Sequence, residues 1–347
     1  MALIQFDKLL AKIHPNNRHI QSVHLALRSI VIPASLCHSV IPALLCVIPA
    51  KAGIYFFYFT TICYTIHMSA LPSWLKQTYR PSDKMKSVET LLHDLELNTV
   101  CREASCPNYS ECFNCGTATI MILGANCTRN CAFCGVTNSG PEPLSPEEPY
   151  RVGEAVSRLG LDYIVVTSVT RDDLPDGGAA HFAETIRRIR AQSPRTKIEV
   201  LIPDFQGDPD ALAAVIDAAP DVISHNMETV RELYPRVRPQ ADYQRSLDLI
   251  ANVSAAEGIH SKSGFMVGVG ETREQITELF DDLRGAGCEF LTIGQYMRPS
   301  KQNLEVAEYV TPEAFEELGE IARAKGFSFV ASAPFVRSSY HAGEALR

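Results

Sequence analysis

Short apolar runs rich in β-branched residues alternate along the chain with longer stretches of helical period. The runs fall at residues 117–123, 163–168, 197–202, 222–225, 263–269 and 290–294, with a weaker one at 328–332. Runs of this length bounded by turn residues predict buried strands. Amphipathic stretches at 151–159, 179–191, 208–218, 243–257, 272–286 and 312–325 predict the helices between them. Gly160, Gly258, Gly287 and Gly326 stand where helices end, and glycine accepts the left-handed conformation needed there. Repeated strand–helix units require a parallel sheet with right-handed crossovers. Six or seven units predict an α/β fold, an open or closed barrel of the TIM type, with its chemistry at the C-terminal ends of the strands. The segment after the first predicted strand, 124–134, belongs at that rim.

The first 67 residues follow a different pattern. Residues 29–50 contain no Lys, Arg, Asp or Glu, and 53–66 are again uncharged and rich in aromatics. Pro33, Pro42 and Pro49 interrupt the first stretch, and Val-Ile-Pro-Ala recurs at Val31, Val40 and Val47. A membrane anchor needs about 20 apolar residues in unbroken helix, which these prolines oppose. A targeting segment fits five basic side chains against one acidic. The favoured reading is an upstream extension, with the working protein beginning at Met68 and a helix predicted over 88–97. That division gives a leader (1–67), an N-terminal extension (68–116), the barrel (117–332) and a C-terminal tail (333–347).

Composition narrows the function classes. Across 347 residues there are 40 acidic and 32 basic side chains, a formal charge of −8. That balance opposes nucleic-acid binding, which depends on neutralising phosphates. The 11 cysteines are unevenly placed: seven lie between Cys101 and Cys134. Clustered thiols in a chain this long point to metal or redox chemistry in a reducing compartment.

Cys127, Cys131 and Cys134 form C-x3-C-x2-C in Cys-Thr-Arg-Asn-Cys-Ala-Phe-Cys. A loop that short can bring each sulfur to a different iron of one cubane. Three ligands leave one iron open, whereas a structural zinc site is closed by four. A zinc knuckle completed by a distant His, or three packed thiols, are the competing readings. Cys101, Cys106 and Cys112 form a second, looser triad, C-x4-C-x5-C. Cys115 reads as a spare thiol and Cys288 as a small core residue.

The stretch from Cys101 to Val136 resembles the lipoyl synthases of the radical S-adenosylmethionine superfamily. The likeness continues through Val166–Gly178, Ile198–Phe205 and Lys262–Glu271 and ends at Arg337-Ser-Ser-Tyr-His-Ala342. It covers about residues 70–347. The resemblance implies a partial (β/α)6 radical SAM barrel with N- and C-terminal extensions. It implies two 4Fe-4S clusters. Cys127, Cys131 and Cys134 would hold the one that binds S-adenosylmethionine and splits it to a 5′-deoxyadenosyl radical. Cys101, Cys106 and Cys112 would hold an auxiliary cluster, with Ser339 as its fourth ligand and Ser338 as the fallback.

The implied reaction inserts two sulfur atoms, at C6 and C8, into an octanoyl group on a lysine of a lipoyl-domain protein. Partners implied are the acyltransferase subunits of 2-oxoacid dehydrogenases, the glycine cleavage H protein, ferredoxin or flavodoxin as electron donor, and iron–sulfur carrier proteins. No nucleic acid and no membrane are expected. The location expected is the cytoplasm, or the mitochondrial matrix if the leader is a transit segment. Thr167, Ser168 and Asp172, after the second predicted strand, and Asn226 and Glu228, after the fourth, are the candidate cofactor contacts. Arg236 and Arg238 are candidate anion receivers, and Gly268–Glu271 is either a cofactor-facing loop or a plain strand-to-helix turn. The alternatives are another sulfur-inserting radical enzyme of the biotin-synthase type and a non-enzymatic zinc-binding module.

Overall fold

The computed structural model of the protein describes residues 71–347, so the leader and its boundary at Met68 lie outside the described residues. Among the described residues one sheet of eight strands keeps chain order: β1 (Asn98–Thr99), β2 (Ile120–Ile122), β3 (Tyr163–Ser168), β4 (Lys197–Leu201), β5 (Val222–Ser224), β6 (His260–Val267), β7 (Phe290–Gln295) and β8 (Phe329–Ser332). β1 runs antiparallel to β2, and every later pairing is parallel. Helices α1 (Asp83–Asp94), α2 (Val100–Glu103) and α3 (Tyr109–Asn114) precede β2. Between the parallel strands come α4 (Glu148–Leu159), α5 (Ala179–Gln192), α6 (Pro209–Asp217), the short α7 (Tyr234–Val237) with α8 (Tyr243–Ser254), α9 (Arg273–Gly285) and α10 (Pro312–Ala324). Six β/α units followed by β8 make the expected (β/α)6 partial barrel. It stays open because β1 and β8, the sheet's two edges, do not pair.

Strands covered on both faces read as continuous apolar runs, and β2, β5 and β7 are buried at every position. One core packs β2–β4 against α1, α4, α5 and α6 through residues such as Val88, Ile122, Val156, Phe182 and Val200. A second packs β6 and β7 against α8, α9 and α10 through Ile250, Phe265, Phe280, Leu291 and Phe315.

Element ends follow cap chemistry. Thr272 and Gln275 form a reciprocal capping box at the start of α9. The Asp208 carboxylate accepts from Asp210 and Ala211 N–H at the start of α6, with Pro209 in the first helical position. The helix expected at 88–97 instead runs Asp83–Asp94, because the Ser82 hydroxyl caps it by accepting from Met85 N–H. The strand expected at 263–269 begins at His260 and stops at Val267, before Gly268 turns the chain at φ 94°.

Candidate active site

The three short elements before β2 exist to place thiols. Thr99 ends β1 and caps α2 by accepting from Arg102 N–H, which sets Cys101 one residue into the helix. Cys106 N–H then bonds the Cys101 carbonyl at 3.0 Å, and Cys112 sits in α3. Cys101 is buried, while Cys106 and Cys112 are half-buried. Burial pushes the Cys101 thiol up to about 11, opposed by hydrogen bonds from Thr119. The Cys112 thiol is pushed up to about 12, first by burial and then by Cys101 and Cys106 beside it.

The second triad hangs from the end of β2. Leu123 and Gly124 turn the chain with φ of 72° and 94°. A positive φ at leucine is strained, and buried side chains hold this one from both sides. The Glu148 carboxylate accepts Leu123 N–H at 2.8 Å and also bonds His181, while Arg171 donates to the Leu123 carbonyl at 3.1 Å.

Within the loop, Arg129 is pinned by two carboxylates: both oxygens of Asp172, at 2.7 and 2.9 Å, and one of Asp204, at 2.6 Å. Burial alone would raise the Asp204 carboxyl, but Arg129 outweighs it and holds the group at about 2. Thr170 N–H and Arg129 N–H point at the Cys127 sulfur at 3.3 and 3.4 Å, and Val136 N–H points at Cys134 at 3.5 Å. Such N–H groups favour a charged, iron-bound sulfur. Asn303 donates to the carbonyls of Ala132 and Cys134 at 3.3 and 2.8 Å, and Ala132 N–H bonds Val237 O. Loops after β3, β5 and β7 thus all grip the same eight residues.

The two triads are neighbours. A Cβ placed on Gly135, next to Cys134, would lie 3.4 Å from the backbone of Ala104, which stands between Cys101 and Cys106. The Cys131 and Cys134 thiols are both raised, chiefly by burial, and both feel Glu228. Arg337 is half-buried, and Cys106 and Glu228 both act on its charge. Arg337 opens the Arg-Ser-Ser-Tyr segment, whose two serines diverge. The Thr119 hydroxyl donates to Ser339 Oγ at 2.7 Å, and the Thr119 carbonyl accepts the N–H of Val100, next to Cys101, at 3.2 Å. Ser338 Oγ instead donates to Asn226 Oδ1 at 3.2 Å, over the fifth strand. Tyr340 fastens the segment to α3 through Glu111 at 2.8 Å.

Other sequence-predicted residues take distinct places. Ser168 ends β3 with its hydroxyl buried and unpartnered, as are Thr229 Oγ1 and Arg238 Nε near the fifth strand's end. Orphaned donors of this kind are costly unless a ligand meets them. Thr167 is buried and donates to Leu201 O at 3.1 Å. Asn226 donates to Glu228 at 3.0 Å, and Glu228 has φ 66° with its carboxyl raised by burial. Arg236 donates to Val269 O. Gly268–Glu271 forms a strand-to-helix turn: the Glu271 carboxylate accepts Gly268 and Val269 N–H, and a Cβ on Gly268 would come within 2.3 Å of Gln295 and Glu308 O.

Sequence reasoning missed Arg129, Asp204, Glu148, Asn303, Glu199 and Lys262. Glu199 carried a visible signal, a charge in the middle of an apolar strand, whereas Lys262 stands just before the predicted run at 263–269.

Among the described residues no group of three His, Cys, Asp or Glu side chains converges on a single ion. Free half-buried thiols, N–H groups aimed at sulfur and the unpartnered Nε of Arg238, whose charge acts on Cys131, fit a cluster with a polar cofactor on its open iron.

A sequence profile of the Radical SAM superfamily matches residues 121–283. Together with the parallel sheet and the three-thiol loop after its first parallel strand, that match defines a radical SAM enzyme. Lipoyl synthase from Caldanaerobacter subterraneus subsp. tengcongensis is 55% identical over 276 residues, covering 79% of this chain and 96% of that protein. The lipoyl synthase of Alkaliphilus metalliredigens is 52% identical over 276 residues, covering 79% and 95%. The chain belongs to the lipoyl synthase family. A more distant likeness joins it to Streptococcus suis SuiB bound to S-adenosylmethionine, with a TM-score of 0.48 and 11% identity over 65% of this chain and 54% of that one.

Proposed function

We propose that this chain inserts sulfur at C6 and C8 of a protein-bound octanoyl-lysine, using two four-iron clusters with separate duties. Cys127, Cys131 and Cys134 would hold one cluster, which binds S-adenosylmethionine on its open iron. Cys101, Cys106, Cys112 and Ser339 would hold the auxiliary one. When bound, these groups supply the one-electron cleavage that makes a hydrogen-abstracting radical, and the sulfur that is transferred.

The protein's part is to place and protect. Arg129, clamped by Asp172 and Asp204, fixes the three-thiol loop in the barrel mouth, and Asn303 holds its far end. Ser168, Thr229 and Arg238 offer free polar atoms to the cofactor's amino-acid and ribose groups. Asp172 serves the loop rather than the cofactor, since both its oxygens are engaged by Arg129. Asn226 and Glu228 link the mouth to the serine segment.

The observation that carries this reading is the 2.7 Å hydrogen bond from the Thr119 hydroxyl to Ser339 Oγ, with the Thr119 carbonyl on the N–H of Val100 beside Cys101. It supports Ser339 over Ser338 as the fourth ligand. The substrates fitting this reading are octanoylated lipoyl domains, including acyltransferase subunits of 2-oxoacid dehydrogenases and the glycine cleavage H protein. Ferredoxin or flavodoxin would donate electrons, iron–sulfur carriers would supply clusters, and the cytoplasm is the compartment proposed.

Separate duties are tested by comparing two variants. Cys131→Ala should abolish deoxyadenosine formation, whereas Cys106→Ala should keep part of it and lose sulfur insertion. Identical behaviour of the two would overturn the division.

A further inference from the structure

Lys262, on β6, and Glu199, on β4, are 1% and 0% exposed. Strand β5 separates them in the sheet, so their side chains meet across the inner face of the barrel. An ammonium has three donors, and the structure gives each one a partner. Two bonds, of 2.8 and 3.0 Å, reach the Glu199 carboxylate, which Tyr163 also contacts through its hydroxyl at 2.6 Å. The third, of 2.7 Å, reaches the main-chain carbonyl of Ser338.

Stability is a poor explanation for such a pair. Desolvating two charges offsets most of their attraction, and apolar residues of similar volume serve as well or better. What an apolar pair cannot do is hold a carbonyl at a fixed point. The carbonyl held here belongs to the peptide joining Ser338 to Ser339. On one side of that peptide Ser338 Oγ bonds Asn226, and on the other Ser339 Oγ meets Thr119 beside Cys101. Fixing the Ser338 carbonyl sets the plane of the peptide, and so the direction of the Ser339 side chain. The neighbouring anchors lie outside it, at Phe335 O to Asn108 (2.7 Å) and Tyr340 to Glu111 (2.8 Å).

We propose that Lys262 is a positioning residue: with Glu199 as its buried counter-ion, it clamps the Ser338 carbonyl and so delivers Ser339 to the Cys101/Cys106/Cys112 triad. This rests on Ser339 being the fourth auxiliary ligand, and the two claims can fail separately.

The test uses the full chain, reconstituted anaerobically, with Lys262→Met/Glu199→Gln beside Ser339→Ala. The double variant removes both charges together and leaves Tyr163 an acceptor. Three quantities are read: the Mössbauer spectrum of the auxiliary cluster, hydrogen exchange at residues 337–340, and the ratio of two-sulfur product to deoxyadenosine. The expected result is that the double variant takes on the spectrum of Ser339→Ala and exchanges faster at 337–340, and that its product ratio falls by about tenfold or more. A changed spectrum in Ser339→Ala with wild-type spectrum, exchange and ratio in the double variant would overturn the clamp. An unchanged spectrum in Ser339→Ala would overturn the ligand reading, and exchange at 337–340 would then decide the clamp alone. If the double variant does not fold, Glu199→Gln, which loosens the ammonium but keeps it, should shift the same readouts part of the way; no shift counts against the clamp.

Discussion

Arg129 lies between two of the loop cysteines and is 4% exposed at its side chain, with Asp172 and Asp204 on its guanidinium. Three short bonds to two carboxylates need a planar fork, which lysine lacks. Arg129→Lys keeps the charge but releases the loop from one wall of the barrel. Because a displacement of about 1 Å costs about 10²-fold in a positioned reaction, S-adenosylmethionine cleavage should fall by about that factor. Deoxyadenosine release measured against iron content checks it, and a rate within twofold of wild type would show that the staple is dispensable. At this scale the thiols were legible in the sequence because their spacing is their signature. Arg129 was not, since an arginine in a loop reads as solvated until its carboxylates, 43 and 75 residues away, are folded against it.

Elements were legible where length gave the period room to show. β3 ends where its apolar run ends, and α5, α8 and α10 start at the residues the period marks, Ala179, Tyr243 and Pro312. β1, α2 and α3 span two, four and six residues, too few for any period, so tertiary contacts alone define them. The end of the sheet away from the chemistry carries its own test. Asp221, leading into β5, accepts from Lys197 at 2.8 Å, Ile198 N–H at 2.9 Å and Arg190 at 3.1 Å. Burial alone would raise its carboxyl, but these partners outweigh that and hold it below the usual carboxylate range. A group lowered on folding stabilises above its unfolded pKa, about 3.9, and loses that contribution as pH falls through the folded value. Asp221→Ala should cost about 1–3 kcal/mol at neutral pH, and the gap to wild type should close on acidification below about pH 4. Denaturant titrations across pH measure it; a gap that did not change with pH would assign the loss to packing.

For the whole molecule, the barrel carries one cysteine triad, while the N-terminal extension carries the other and the C-terminal tail brings Ser339 to Thr119 near it. The loops that carry the triads come close at Gly135 and Ala104. The approach of residues 337–340 to residues 101–112 was legible only through the family resemblance, and the closeness of the two triads had no signal in the sequence, because these segments meet only after the sheet has formed. With residues 1–67 proposed as an upstream extension, a chain starting at Met68 should be soluble and should bind about eight irons; iron analysis of that protein checks it, and loss of folding would give the leader a structural role. The central claim is that one chain both generates the radical and donates the sulfur. Anaerobic single-turnover on an octanoyl-lysine peptide, followed by mass spectrometry, tests it most directly. The expected product carries two sulfur atoms, with two deoxyadenosines formed per product, and none forms with Ser339→Ala or Cys106→Ala. Deoxyadenosine formed with no sulfur ever reaching the peptide in the intact protein would contradict it.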